Sequence, residues 1–362
     1  MRFVLAMVVL IGHTRPSAFL IGGDVAVELF FAISGFLISY ILRMQPAYKD
    51  KKKFFVNRAL RIYPIYFVVA IATLLLWVTR AEWLAGFSSL NIPTKVFLIA
   101  CNVLLFGQDW LLFLQQDHGG LAPTADFRQT DPQLWGYALV PPAWSLGTEL
   151  TFYALAPFIM RRRAILVTIL TASFLAKFMA WGWGLQHDPW SFRFFPFELW
   201  VFLLGALSEQ ILAPVVAASV RAPAWGVASV LLTFAAFAAV PQIEIGLYGA
   251  SFLLIFALVL ALPGLMAFQR SRPWDVWIGD LSYPLYLCHW LVIVAVRAVG
   301  HKIPILAPWA VDVAIVILAV VLAIVLERFV TRPVERLRRK LRGTQAPIYA
   351  LEGARIPTVK VL

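Results

Sequence analysis

Eleven apolar segments follow one another along the chain, separated by short polar links. They occupy residues 3–20, 25–42, 62–79, 96–114, 143–160, 164–184, 194–212, 224–240, 245–268, 282–299 and 309–330. A helix needs about 20 mainly apolar residues to cross the hydrocarbon core of a bilayer. In lipid, the backbone must satisfy its own hydrogen bonds, which a helix does within one segment. The pattern therefore predicts an all-α, polytopic transmembrane helical bundle.

The charged residues favour a membrane protein over a nucleic-acid-binding one. The chain is 61% hydrophobic and only 14% charged, whereas soluble domains are about 25% charged. Its net charge is +12, and 19 of its 31 Lys and Arg residues lie in four clusters flanking the apolar segments, at 43–61, 161–163, 270–272 and 328–342. Such clusters are typical of cytoplasmic loops and contact anionic lipid headgroups. We therefore expect a lipid bilayer as partner and no nucleic acid.

The basic clusters also predict the topology. If all eleven segments crossed the bilayer, the clusters at 51–53 and 161–163 would lie on opposite sides, contrary to the positive-inside rule. One non-crossing segment between them places all four clusters and both termini in the cytoplasm. We assign this role to 96–114, because polar side chains are costly in lipid. The segment carries Asn102, Gln108 and Asp109. The prediction is ten spanning helices and one re-entrant or interfacial helix.

One membrane domain is expected over 1–342, followed by a short, disordered cytoplasmic tail over 343–362 that contains two prolines. The first apolar segment begins almost at Met1 without a basic lead-in, so we expect no cleavable signal peptide. A natural start further upstream stays open. The sequence has no HExxH or CxxC pattern, and we expect no bound metal.

Four ionisable residues within or at the ends of apolar segments are candidates for a functional site. They are His13, Glu28, Glu149 and His289. In the predicted topology the first three lie toward the outer ends of their helices, so we expect them to meet in one chamber. A histidine oriented by a carboxylate is a general base suited to a hydroxyl group. The alternative, favoured for His289, is that each side chain only bonds a neighbouring helix.

Several sequence strings occur in a fixed order. Arg2 precedes His13 by ten intervening residues, and four strings follow: ELFFAISGFLI at 28–38, RALRIYP at 58–64, WSLGTELTFY at 144–153 and IGDLSYPLYLCHW at 278–290. From Arg2 to about Arg339 the chain resembles the acyltransferase-3 family of integral membrane proteins. Members transfer acyl groups, often acetyl, to extracytoplasmic carbohydrates and related molecules. The resemblance implies the same enzyme class and a multi-pass position in the bacterial cytoplasmic membrane.

The resemblance also implies roles for single residues. It makes His13 the catalytic histidine and Arg2 its partner at the cytoplasmic end of the first helix. Arg58 and Arg61 match the family's RxxR string in a cytoplasmic loop, which binds the acyl donor. Arginine is suited to bidentate phosphate binding, and coenzyme A carries several phosphate charges. The alternative is that the two arginines only set the topology.

The remaining matched residues have open alternatives. Ser34 either bonds within the site or packs between helices. Trp144 and Ser145 share the family's WSLxxE string with Glu149, although Trp144 alone would also serve as an interfacial anchor. Tyr283 and His289 match near the end of the chain, where packing is the alternative. We group Ser34 with the catalytic residues and Trp144, Ser145, Tyr283 and His289 with the substrate-binding ones.

These observations predict a membrane O-acyltransferase. Cytosolic acyl-CoA, most often acetyl-CoA, is the expected co-substrate, with no permanently bound cofactor. The acceptor is the hydroxyl of an extracytoplasmic or lipid-linked carbohydrate or glycosylated compound. His13 acts as the base, and Glu28 or Glu149 orients it. The alternatives are a proton-coupled transporter or flippase, since intramembrane His and Glu also form proton relays, and a non-catalytic scaffold.

Overall fold

The computed structural model describes residues 1–15, 21–219, 222–239, 246–269, 273–300 and 307–342. Within these ranges the chain is a helical bundle with one small antiparallel hairpin. The helices are α1 (Arg2–Thr14), α2 (Gly23–Met44), α3 (Lys51–Trp77), α4 (Ala81–Ser89), α5 (Ile92–Leu104), α6 (Trp144–Ile159), α7 (Arg163–Gly182), α8 (Phe195–Leu207), α9 (Ala213–Ala218), α10 (Ala222–Ala239), α11 (Gly246–Gln269), α12 (Pro273–Asp280), α13 (Ser282–Gly300), α14 (Pro308–Leu326) and α15 (Arg332–Arg342). The predicted tail lies outside the described residues.

The all-α, membrane-spanning class is confirmed. Within the described ranges, seven helical stretches are long and apolar enough to cross a membrane: Gly23–Met44, Lys51–Trp77, Arg163–Gly182, Phe195–Ala218, Gly249–Phe268, Ser282–Val299 and Pro308–Leu341. Shorter apolar helices occur at Arg2–Thr14, Ile92–Leu104 and Ala224–Ala239. The predicted count of ten spans and the cytoplasmic position of both termini stay predictions.

Helix α2 forms the centre of the bundle and packs against α1, α6, α8 and α11. Its crossing with α8 brings the two backbones into direct contact. A Cβ atom on Gly35 would lie 1.7 Å from the Phe202 carbonyl oxygen, and one on Gly205 would lie 2.0 Å from that of Ala32. Only glycine permits so close an approach. The crossing therefore fixes how α2 presents its polar side chains.

The apolar segment 96–114 does not form one continuous helix. Helix α5 ends at Leu104, and Leu105 and Gly107 adopt left-handed backbone angles, with φ of 60° and 78°. A 3-10 helix, Gln108–Leu112, and the hairpin of β1 (Leu114–Asp117) with β2 (Gly120–Pro123) follow. The Asn102 side chain accepts from the Leu139 amide at 2.8 Å and donates to the Tyr137 carbonyl at 3.1 Å. It thus holds this irregular region together.

Helices α3 and α15 differ from the segments that hydropathy predicts, and both differences occur at the N-terminal, polar end of α3. Helix α3 begins at Lys51, well before residue 62, so Arg58 and Arg61 lie in its first half and not in a loop. Helix α15 follows a π-helical turn, Glu327–Thr331, and packs against α3. Its sequence is too polar to register as an apolar segment, so hydropathy alone did not reveal it. We call the region of Arg2, Arg58, Arg61 and Arg338 the basic end.

Candidate active site

A cavity of about 830 Å³ opens beside the end of α1, and we call it the chamber. Aromatic side chains line much of its wall: Phe127, Trp135, Trp144, Phe192 and Trp290. Between them lie polar side chains: His13, Asp24, Gln108, Arg128, Gln133, Asp188, Ser191 and Arg193. Small-molecule sites in proteins commonly enclose about 300–1,000 Å³ and combine apolar walls with a few polar groups. The chamber therefore has the size and composition of a ligand site.

His13 lies in the last turn of α1, because this helix ends at Thr14. Its side chain is exposed to the chamber. The ring Nδ1 lies 2.8 Å from the Val9 carbonyl oxygen. Since a carbonyl oxygen only accepts, this contact assigns the hydrogen to Nδ1 and leaves the Nε2 lone pair free. His13 thus presents a proton acceptor at a cavity wall.

His289 packs directly behind His13. The two ring centroids are 5.1 Å apart, although the residues belong to α1 and α13. His289 is fully buried, and its Nδ1 donates to the Tyr286 carbonyl at 2.7 Å. Its Nε2 has no hydrogen-bond partner among the described residues. The Trp290 ring meets His13 edge-on at 5.5 Å, so α13 holds the His13 ring from two sides.

The structure pairs Glu28 with a lysine and not with His13, in what we call the lysine cluster: Lys177, Glu28 and Glu198. The Lys177 Nζ lies 3.1 Å from Glu28 and 2.7 Å from Glu198, and all three side chains are at most 5% exposed. Lys177 was not predicted as a partner of Glu28. The available signal was a lone lysine inside the apolar segment 164–184, because a charge at membrane depth requires a counter-charge.

Glu149 also has partners other than His13. Its carboxylate accepts hydrogen bonds from the hydroxyls of Ser34 and Tyr153. Neither Glu149 nor Glu28 makes a hydrogen bond or salt bridge with the His13 ring. The carbonyl of Val9, one turn earlier in α1, occupies the orienting position that we expected a carboxylate to take.

A second, smaller cavity of about 50 Å³ lies deeper in the bundle, and we call it the inner pocket. It brings together many of the candidates: Arg2, Ser34, Ser145, Glu149 and Tyr283. Val27 and Tyr286 line both cavities and therefore separate them. The Tyr286 hydroxyl lies 2.7 Å from Ser145 Oγ and donates to the Pro142 carbonyl at 2.9 Å. These bonds fix the wall between the chamber and the inner pocket.

The basic end adjoins the inner pocket, because Arg2 belongs to both. Arg58 is buried, and its guanidinium carbon is 5.9 Å from the Tyr153 ring centre. Burial raises the pKa of the Asp280 carboxyl in α12, and the charges of Arg61 and Arg2 oppose that rise. Arg2 and Arg61 therefore act on a common acidic neighbour. The basic end, the inner pocket and the chamber are linked in this order by Tyr153, Glu149 and Tyr286.

An arginine pair in the chamber wall was not predicted. Asp188 binds Arg128 and Arg193 at 2.5 Å each. The Arg193 guanidinium carbon lies 4.5 Å from the ring centres of both Trp144 and Phe192. Trp144 therefore belongs to a cation–π contact at the chamber. A signal was available in the single Arg193 among the aromatic residues at 190–195, but nothing in the sequence identifies its partner.

In the ranges that the structure describes, no group of three or more His, Cys, Asp or Glu side chains is arranged to hold a metal ion.

The fold and the site define an integral membrane protein with a polar, histidine-bearing cavity inside a helical bundle. The chain belongs to the acyltransferase-3 family: the family's sequence profile, described as an acyltransferase domain, matches residues 1–328. This confirms the resemblance and assigns the protein to the membrane enzymes that transfer acyl groups.

Two relatives extend the comparison. The chain is 28% identical over 296 residues to Nodulation protein 10 of Rhizobium leguminosarum bv. viciae, covering 76% of this chain and 74% of that protein. It is 25% identical over 165 residues to an uncharacterized protein of Aquifex aeolicus, covering 45% of this chain and 72% of that protein. No solved structure matches the chain significantly.

Proposed function

We propose that this protein is an O-acyltransferase of the bacterial cytoplasmic membrane. It moves an acyl group, most often acetyl, from cytosolic acyl-CoA to a hydroxyl of an extracytoplasmic or lipid-linked carbohydrate or glycosylated compound. The observation that carries the proposal is His13, whose free Nε2 lone pair lies at the wall of the chamber. In this proposal the basic end faces the cytoplasm and the chamber faces outward.

The basic end supports an acyl-CoA donor. Arg2, Arg58 and Arg61 supply guanidinium groups for the phosphates. The thioester end of the donor then extends through the inner pocket, past Ser34 and Glu149, toward the wall at Tyr286. The wall separates donor from acceptor until the thioester passes Val27 and Tyr286.

The chamber supports a sugar as acceptor. Its aromatic rings offer flat apolar faces, and its polar side chains offer both donors and acceptors for hydroxyl groups. Asp24, Gln108 and Gln133 are placed among these rings. Trp144, Ser145, Tyr283 and His289 keep their proposed substrate-side roles, the first at the chamber and the next two at the inner pocket.

The proposed reaction needs one base and good positioning. His13 Nε2 takes the proton of the acceptor hydroxyl while that oxygen attacks the thioester carbonyl carbon. A C–O bond forms, the C–S bond breaks, and the proton then passes from His13 to the coenzyme A thiolate. The Val9 carbonyl holds the Nδ1 hydrogen throughout, and Glu149 holds Ser34 and Tyr153 beside the donor path.

Mass spectrometry of glycans and secreted metabolites tests this proposal. Cells carry the wild type, His13→Ala, the control His118→Ala or an empty vector; His118 is exposed in the turn between β1 and β2. We expect a new ester-linked mass with the wild type and His118→Ala only, and the mass identifies the acyl group. A full signal with His13→Ala would exclude His13 as the base. No ester in any strain would favour the transporter alternative.

A further inference from the structure

Two buried arginines share one neutral acceptor at the basic end. Nη2 of Arg58 and Nη2 of Arg338 each lie 3.0 Å from the Oδ1 atom of Asn57. The side chains come from α3 and α15, and the two residues are only 6% and 5% exposed. Two positive groups are thus held against each other in a space that excludes most water.

The local charges do not balance. Arg58 makes no salt bridge with any described carboxylate, and its Nε has no hydrogen-bond acceptor. Arg338, by contrast, forms a salt bridge with Glu335, which also contacts Arg339 at 3.9 Å. Asn57 accepts hydrogen bonds but carries no charge. A buried ion without a counter-ion is strongly unfavourable, so an anion beside Arg58 would stabilise this arrangement.

We propose that Arg338, from α15, joins Arg58 in binding a phosphate group, and that this phosphate belongs to the acyl-CoA donor. Paired guanidinium groups match phosphate oxygens in charge and in hydrogen-bond geometry. The identity of the donor rests on the proposed function. Arg338 lies beyond residues 1–328, the part of the chain that matches the family profile, so the C-terminal helix adds a ligand to the site.

The location fits a donor that extends into the bundle. The Arg58 guanidinium lies against the Tyr153 ring, and the Tyr153 hydroxyl donates to Glu149 at the inner pocket. A phosphate bound between Arg58 and Arg338 therefore lies at the entrance of the path that leads to the chamber. Helix α15 packs on α3 at this point, so it closes one side of the phosphate site.

Calorimetric titration of coenzyme A into the purified full-length protein, in nanodiscs of neutral lipid, tests the inference. The variants are Arg338→Gln, Arg338→Lys and the control Arg339→Gln, whose side chain is 68% exposed and contacts the same Glu335. Charge-assisted hydrogen bonds predict an increase in Kd of about 10- to 100-fold for Arg338→Gln. Arg338→Lys retains part of the affinity, and Arg339→Gln changes the Kd less than about twofold.

Three results would overturn the inference. Equal affinity of wild type and Arg338→Gln, with unchanged melting temperatures, would exclude Arg338 as a ligand. Unchanged coenzyme A affinity together with reduced binding of phosphatidylglycerol-containing vesicles would assign the phosphate to a lipid headgroup. No coenzyme A binding by the wild type would instead overturn the proposed donor itself. If Arg338→Gln does not fold, Arg338→Lys, which preserves the charge, takes its place in the comparison of coenzyme A affinity with the wild type.

Discussion

The lysine cluster and the His13–His289 pair are both groups of ionisable side chains inside the bundle, but their polar atoms are satisfied differently. In the lysine cluster, one ammonium group contacts two carboxyl groups, all three are buried, and none lines the chamber or the inner pocket. In the histidine pair, His13 keeps a free lone pair at the chamber, and His289 has a buried nitrogen without a partner.

We interpret this difference as one between a structural role for the lysine cluster and a chemical role for the histidine pair. A polar group inside a membrane protein is stabilised by a fixed partner or left available to water or ligand. The lysine cluster joins α2, α7 and α8 through fixed partners, so we expect Glu28 to stabilise the bundle. The histidine pair is instead left available, and its incomplete pairing is what a proton-transfer site requires. The same comparison yields predictions for each group.

The largest expected effect follows from removing the base. His13→Ala lowers the rate of acyl transfer by about 100- to 10,000-fold, since this is the usual contribution of general acid–base catalysis. The amount and melting temperature of the protein stay close to those of the wild type, because the His13 side chain is exposed to a cavity. Initial rates with radiolabelled acyl-CoA in membranes measure the first effect, and fluorescence-detected size exclusion measures the second. A rate within tenfold of wild type would contradict the assignment.

The lysine cluster gives the opposite signature. Lys177→Met leaves two carboxyl groups buried together and lowers the free energy of unfolding by about 3–5 kcal/mol. The neutral triple variant Lys177→Met, Glu28→Gln, Glu198→Gln recovers most of that loss, because no unpaired charge remains. Thermal unfolding in detergent compares the two. If the triple variant is stable but has lost acyl transfer, the cluster has a chemical role and the comparison fails.

A smaller effect distinguishes the two histidines. His289→Gln keeps a polar side chain behind His13 but removes the ring that contacts it at 5.1 Å. Looser positioning of His13 lowers the rate by about tenfold, well short of the effect of His13→Ala. The pH–rate profile provides the readout, since a change around His13 shifts its inflection whereas a purely structural change scales the rate at every pH. An unshifted profile with unchanged rate would limit His289 to packing.

The smallest effect concerns Asp109, a buried carboxyl whose Oδ1 atom has no hydrogen-bond partner among the described residues. Burial raises the pKa of Asp109, in the 3-10 helix after α5, to about 7. Because the pKa in the folded protein lies above its usual value, the folded state binds this proton more tightly than the unfolded state does. The associated stability is fully present at low pH and lost as the pH rises through about 7. Between pH 3.8, the ordinary pKa of this carboxyl, and about pH 7, melting temperatures should fall with pH in the wild type and less steeply in Asp109→Asn, and above pH 7 this contribution should level off.

Much of the architecture was predictable because the bilayer constrains sequence locally. Within the described residues, each of the eleven apolar segments contains a helix, and hydropathy needs only neighbouring residues to reveal it. The ordered strings around His13, Glu149 and His289 predicted the family, which the profile match confirms. Hydropathy did not predict the break in the helix at Leu105 and Gly107, because left-handed backbone angles do not change the apolar character of a segment. It also did not predict helix α15, because that helix is polar.

The partners of the site residues were decided only by the tertiary structure. The sequence placed ionisable groups inside the bundle, but it did not place Lys177 beside Glu28, His289 beside His13, or Arg338 beside Arg58. Each of these pairs joins helices far apart in the chain. Hydropathy specifies that a segment enters the membrane, whereas the contacts of one helix face depend on side-chain packing and close approaches such as Gly35 against Phe202. Because a buried charge without a partner is unfavourable, the bundle packs so that most of its buried ionisable side chains are paired. His13 differs because its side chain faces the chamber.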